Sequence, residues 1–126
     1  MGYRSDVVLV VGKEVMPQFM VTMAKCLEAR SLCFGEAEKT KDYDGAGNML
    51  FVWEEIKWYD SNEGIAAIVD FVDWCLNTKV PHPDEKGQQI EADECFRFVR
   101  MGEETDDIEE AGNGFWDVGV RRSISY

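Results

Sequence analysis

Val7-Val8-Leu9-Val10-Val11, closed by Gly12, is an unbroken apolar run with no position that can face water. Such a run suits a strand covered on both faces or central in a sheet. The residues around it must then supply the covers. Downstream, Lys13-Glu14-Val15-Met16-Pro17 leads into Phe19, Met20, Met23, Cys26 and Leu27. Their three- and four-residue spacing predicts an amphipathic helix with Pro17 in its first turn, ending near Arg30.

From Gly35 to Asn48 the chain is polar and glycine-rich and reads as a loop. Met49 to Tyr59 then alternates: Leu50, Val52, Ile56 and Trp58 fall on one side, and Met49, Phe51, Trp53, Glu55, Lys57 and Tyr59 on the other. This is a second strand with an aromatic outer half. Asp60 and Ser61 are the expected caps of a second helix, with Glu63 in a capping-box-like place. Its stripe is Ile65, Ile68, Val69, Val72, Cys75 and Leu76, flanked by Phe71 and Trp74, and it ends around Thr78. Val80 to Gly87, with Pro81 and Pro83, cannot continue a helix and reads as an exposed loop.

Cys95 to Met101 alternates again, and Ala111-Gly112-Asn113-Gly114 offers the positive-φ residues of a hairpin turn. Across that turn, a strand around Ile108 is expected to pair with Trp116 and Val118. The last strand, Phe115 to Tyr126, would send Trp116, Val118, Val120, Ile124 and Tyr126 toward the core. The order β-α-β-α-β-β predicts a single α+β domain over residues 1–126. It is a two-layer sandwich with two helices on one face of a mainly antiparallel or mixed sheet of about four strands. Periodicity does not give the order of strands in the sheet.

A chain of 126 residues suits one domain, and 45% hydrophobic and 12% aromatic residues place it far from disordered compositions. Its 25 acidic against 13 basic residues give a net charge of -12, which disfavours direct binding to nucleic acid or anionic lipid and favours basic protein partners. Val7–Val11 is too short for a signal-peptide core and no run is long enough to span a bilayer, so a soluble cytoplasmic protein is expected. Cys26, Cys33, Cys75 and Cys95 lack the paired spacing of zinc or redox motifs and read as reduced packing residues.

Four segments carry a resemblance: Met1-Gly2-Tyr3-Arg4-Ser5-Asp6-Val7, Ile56-Lys57-Trp58-Tyr59-Asp60-Ser61, Phe96-Arg97-Phe98-Val99-Arg100-Met101-Gly102-Glu103, and Arg122-Ser123-Ile124-Ser125-Tyr126. They resemble a set of small, mostly uncharacterised bacteriophage and prophage proteins. The likeness touches the ends and middle of the chain and leaves the first helix and both loops unmatched. It implies a phage accessory protein made in the bacterial cytoplasm and brings no established activity.

Enzyme chemistry finds little support. The one histidine, His82, sits between two prolines, away from any nucleophile motif. Gly45-Ala46-Gly47-Asn48 lacks the lysine of a phosphate loop and precedes a strand where nucleotide motifs open a helix. Asp42, Asp44 and Asn48 offer oxygen ligands without the full order of a calcium loop. No catalytic residue, cofactor or metal is therefore expected.

Two classes of function remain. The first is a binding protein that modulates or inhibits a bacterial host protein through an anionic, nucleic-acid-like surface. Glu103, Glu104, Asp106, Asp107, Glu109 and Glu110 put six carboxylates into eight residues, half the net charge, and Trp53, Tyr59 and Trp116 are candidate aromatic anchors. A charge block of this kind is more often a solvated face. The second is a small-ligand binder or minor enzyme with a pocket between the second helix and the sheet, lined by Trp58, Trp74 and Trp116, where Arg97, Arg100, Arg121 and Arg122 would hold an anion. The competing role for those arginines is to pair with acids on a neighbouring strand. If Met49, Phe51 and Trp53 lie on an uncovered sheet face, either a homodimer or the Gly35–Asn48 loop must cover it.

Overall fold

The run read as a doubly covered strand is β1 (Ser5–Val11), at the centre of a five-stranded sheet. The structure is a computed structural model that describes residues 3–82, 84–104, 106–115, 117–120 and 124–126. On one side of β1 lies β3 (Met49–Ile56), flanked by the edge strand β2 (Lys39–Asp42). On the other lies β6 (Phe96–Gly102), flanked by the edge strand β7 (Ile108–Ala111). Every pairing in this sheet is antiparallel. The protein is thus α+β, with five strands in the main sheet where about four were expected.

Alternate residues of β1 enter two separate apolar clusters. Val7, Leu9 and Val11 join Phe51, Trp53, Phe96 and Phe98 beneath three helices: α1 (Met16–Lys25), α2 (Leu27–Ser31) and α3 (Glu63–Leu76). Phe19 of α1 is fully buried there and packs its ring 5.3 Å from that of Phe51 and 5.2 Å from that of Phe71. Val8 and Val10 join Leu50, Val52, Val99 and Val118 on the opposite face, with Tyr43, Phe115 and Ile124 packed against them. No face of β1 meets water, as its composition requires.

The helices depart from expectation where packing intervenes. The first helix breaks at Cys26, which is extended at φ -131° and ψ 104°, so the chain can redirect α2 onto the start of α3. That approach is close: a Cβ on Gly64 would lie 2.9 Å from the Glu28 carbonyl. A π-helical turn, Leu32–Glu36, follows. The cap of α3 is Asn62 rather than Asp60 or Ser61, its side-chain oxygen accepting the N–H groups of Gly64 (2.9 Å) and Ile65 (3.2 Å).

The aromatic half of β3 is the inner half. Phe51 and Trp53 are buried beneath the helices, and the Trp53 indole donates to the Leu32 carbonyl at 2.9 Å. The patch, formed by Met49, Phe51 and Trp53, is therefore covered within the chain, chiefly by the helices, with only Ala37 of the 35–48 segment packed against the same cluster. A bulge explains the rest of the misassignment: Ser5 pairs with Ile56 but Val7 with Trp53, so Glu54 and Glu55 together oppose Asp6. Glu55 takes a positive φ of 52° there, and Asp6 accepts its N–H at 3.0 Å. The inserted residue reverses the alternation and brings Ile56 and Trp58 to the same side as Trp53.

Both segments read as loops contain strand. Lys39–Asp42 is β2, and β4 (Lys79–Pro81) pairs with β5 (Gln89–Glu91) as a short ribbon. The C-terminal strand is replaced by a small ribbon of β8 (Gly119–Val120) and β9 (Ile124–Ser125). Gly112 has the expected positive φ, 90°, but the turn there folds back on β6, with the Gly114 N–H donating to the Phe96 carbonyl at 3.2 Å. Accordingly β7 pairs with β6 and not with Val118, while Trp116 lies outside the described residues.

Phe19→Ala should cost about 3 to 5 kcal/mol, because the void opens among three aromatic rings that cannot collapse together. Urea unfolding followed by tryptophan fluorescence measures it.

Candidate functional site

The acidic segment is a hairpin arm. Glu103, Glu104 and Asp106 lie in the turn between β6 and β7, Asp107 closes it, and Glu109 and Glu110 stand on β7. The Gly102 N–H donates to the Asp107 carbonyl at 2.8 Å and holds the turn shut.

What fixes the arm is Arg100. Alternation along β6 places it on the helix side, two residues from Phe98 and opposite Glu109. Its Nε donates to Glu109 at 2.8 Å, and Nη1 donates to Ser5 Oγ at 3.0 Å and to Asp107 at 3.2 Å. Nη2 lies 2.6 Å from both Asp107 and Glu109. Four guanidinium N–H donors thus have acceptors, and the close approach of Nη2 to Glu109 adds an ion pair. Tyr3 closes the cluster from the N-terminal side. Its hydroxyl donates to Asp107 at 2.7 Å and accepts the Glu104 N–H at 2.9 Å, and the Tyr59 hydroxyl donates to the Tyr3 carbonyl at 3.0 Å. Hydrogen bonds from Arg100, then from Tyr3, hold the Asp107 carboxyl below the ordinary carboxylate range, and the Asp107 bond in turn raises Arg100.

Arg97 points to the opposite face, where it donates to the carbonyls of Val118 (3.0 Å) and Gly112 (2.9 Å) and pairs with Glu110 at 3.1 Å. Three of the six carboxylates, Asp107, Glu109 and Glu110, are therefore neutralised within the fold. Among the described residues no cation pairs with Glu103, Glu104 or Asp106, although Glu103 accepts the Arg4 backbone N–H at 3.3 Å.

Beside this arm, between α3 and β7, lies an open cleft of about 920 Å³. Val69, Val72, Asp73 and Leu76 of α3 form one wall at the i, i+3, i+4, i+7 spacing of a helix face. Phe98, Arg100 and Ala111 line the sheet side, and Trp58, Tyr59 and Asp60 stand at one end. Trp58 is half-buried, its ring 5.5 Å from Trp53 and 5.9 Å from Phe98.

Of the residues expected in a ligand pocket, Trp58 and Arg100 reach this cleft. Trp74 stacks on Phe71 at 6.4 Å and does not line it; Arg97 faces away; Arg121 and Arg122 lie outside the described residues. Among the expected anchors, Tyr59 is exposed, and Trp53 is only 1% exposed and cannot meet a partner. Sequence reasoning missed Tyr3 and Ser5, and it read Val69, Val72 and Leu76 as part of the core stripe, without assigning them to the cleft wall. The wall was signalled by Leu76, an apolar residue at the end of the helical stripe, which stays 43% exposed.

The remaining candidate ligands have local duties. Asp42 accepts the N–H groups of Asp44 and Gly45, Asp44 binds the Asn48 side chain, and Asn48 accepts the Lys13 N–H at 2.9 Å. His82 Nδ1 accepts the N–H groups of Asp84 and Glu85. Among the described residues no three His, Cys, Asp or Glu side chains converge as metal ligands do, and no helix is long and apolar enough to cross a membrane. All four cysteines are free thiols, and burial pushes Cys33 and Cys75 up to about 12 and Cys95 up to about 11. No protein-family model, curated protein or solved structure matches this chain.

Arg100→Met should loosen the arm, raising amide exchange over 103–110 by about tenfold or more while α3 stays protected, because two carboxylates lose their shared cation. A second outcome concerns pH. Since the folded state lowers the Asp107 pKa, its stabilisation is complete above the ordinary carboxylate value of about 4 and is lost as pH falls through the lowered folded value. Thermal stability measured between pH 6 and pH 2 should show that acid loss in the parent and a shallower one in Asp107→Asn.

Proposed function

We propose that this chain is a binding protein of bacteriophage accessory type, made in the host cytoplasm, that engages a basic surface of a bacterial host protein and modulates or inhibits it. The observation that supports this reading is the split of the acidic arm. Asp107 and Glu109 are spent on Arg100, which fastens the arm, and Glu103, Glu104 and Asp106 are presented at its tip, where no cation among the described residues pairs with them. Preorganised charge of one sign steers a basic partner and selects its orientation, and little ordering entropy is lost on contact. A net charge of -12 turns the same surface away from nucleic acid itself. The two-layer arrangement belongs to this proposal as its mechanical backing, with the helices bracing the sheet from which the arm projects.

An anion-binding pocket is less well supported. The cations it would need, Arg97 and Arg100, are already engaged by protein carbonyls and carboxylates, and the cleft is lined by Asp60, Asp73, Asp107 and Glu109. An anion placed there would meet carboxylates first.

The test is capture from nuclease-treated bacterial lysate at low and high salt, comparing the parent with Glu103→Gln/Glu104→Gln/Asp106→Asn. These three carboxylates pair with no described cation, so the variant should melt within about 2 °C of the parent. It should also lose about tenfold or more of a salt-sensitive host protein. Undiminished capture by the folded variant would refute the reading.

A further inference from the structure

The geometry points to a specific mode of engagement: an extended, lysine- or arginine-rich segment of the partner adds to the outer edge of β7 as a sixth strand and places a bulky apolar side chain in the cleft beside α3. This rests on the proposed binding of a basic protein and names the form of what is bound.

Three observations converge on it. The first is the backbone. The bond from the Gly102 N–H to the Asp107 carbonyl sets the phase of the β6–β7 pair, so the residues that exchange bonds with β6 are Asp107, Glu109 and Ala111. The N–H and C=O of Glu110 and the C=O of Ile108 then point outward, while the Ile108 N–H is taken locally by the Asp106 carbonyl at 3.1 Å. The sheet order ends at β7, so among the described residues no strand meets these groups.

The second is the contrast between the two edges. β2 carries Lys39 and Lys41, the charged lysines by which natural sheets discourage edge pairing, and Lys39 donates to the Tyr126 hydroxyl at 3.1 Å. β7 is Ile-Glu-Glu-Ala, without lysine, proline or bulge. Its charge repels a second copy of itself, since antiparallel β7–β7 pairing would bring four glutamates together. The same charge favours a basic strand. A second copy of this chain is thereby disfavoured as the occupant.

The third is the cleft. Side chains alternate across a strand, so half of those on an added strand would lie on the helix side, over the space between β7 and α3. The apolar groups waiting there are Val69, Val72, Leu76, Trp58 and Phe98, and Asp60 and Asp73 stand at the rim for flanking lysines or arginines. Edge backbone, apolar space and acidic rim thus ask for one ligand chemistry: extended, cationic, with an apolar anchor.

The test uses the full chain as bait for a displayed library of random ten-residue peptides, followed by fluorescence-anisotropy titration of the enriched peptides. Basic segments with an apolar residue among alternating positions should be enriched. Methylating the backbone nitrogens on one edge of such a peptide should weaken binding about tenfold or more, while the same change on its other edge does not, because strand addition uses one edge only. Leu76→Lys, at an exposed position that folding tolerates, should weaken it by about the same factor through charge and lost apolar contact. Basic peptides that bind equally well when methylated on either edge and equally well to Leu76→Lys would overturn strand addition while leaving the acidic binding reading intact. Absence of basic peptides from the enriched pool would remove both. Self-association by sedimentation that Leu76→Lys abolishes would overturn the proposal in favour of a second copy.

Discussion

The five consecutive apolar side chains of β1 allow neither face of that strand to meet water, and the architecture follows from satisfying both. The helices and the aromatic half of β3 cover Val7, Leu9 and Val11, while the tail around Val118 and Ile124, with Tyr43, covers Val8 and Val10. A strand with two apolar faces belongs at the centre of its sheet, and the order β2-β3-β1-β6-β7 puts it there. The strands beside it inherit the problem in diluted form. Phe96, Phe98 and Val99 of β6 are buried, and polar positions increase outward until β7 is acidic and solvated.

That gradient gives the candidate site its character. Arg100 stands where the buried sheet gives way to solvent, close enough to the core to be nearly covered and close enough to β7 to draw in two carboxylates. A guanidinium bound to two carboxylates and a hydroxyl is a structural fastener, with its charge already engaged within the fold. Its effect is to fasten part of a run of like charges, which by itself would spread apart, and to leave at the tip the carboxylates that pair with no cation among the described residues. Tyr3 and Tyr59 tie that arm to the start of β1 and to the segment before α3, so the cleft and the arm form one surface.

Legibility in the sequence tracked the range of the interactions. The central place of β1, Pro17 in the first turn of α1 and the stripe on α3 are local patterns of burial and were readable. The inward face of β3 was not, because alternation tells two faces apart without saying which is inside. The aromatic side looked exposed until Phe19, Phe71 and Leu32 arrived from elsewhere to cover it. The bulge at Glu54 and Glu55 then reversed the phase, so that Trp58 belongs with Trp53 despite their spacing of five residues. Cys26 breaks its helix for a reason located at Gly64, 38 positions away in the chain.

By itself the sequence determined the α+β class, the doubly buried central strand, the start of the first helix, most of the α3 stripe and a concentrated acidic segment, since each is a matter of composition and period along neighbouring residues. Only the tertiary structure decided which strand pairs with which, which side of β3 is inside, and which carboxylates remain available. Those outcomes depend on where a guanidinium, a backbone carbonyl or an aromatic ring from a distant part of the chain comes to rest. Arg100 reaches Ser5 across 95 positions and Tyr3 reaches Asp107 across 104, and no local pattern encodes such meetings.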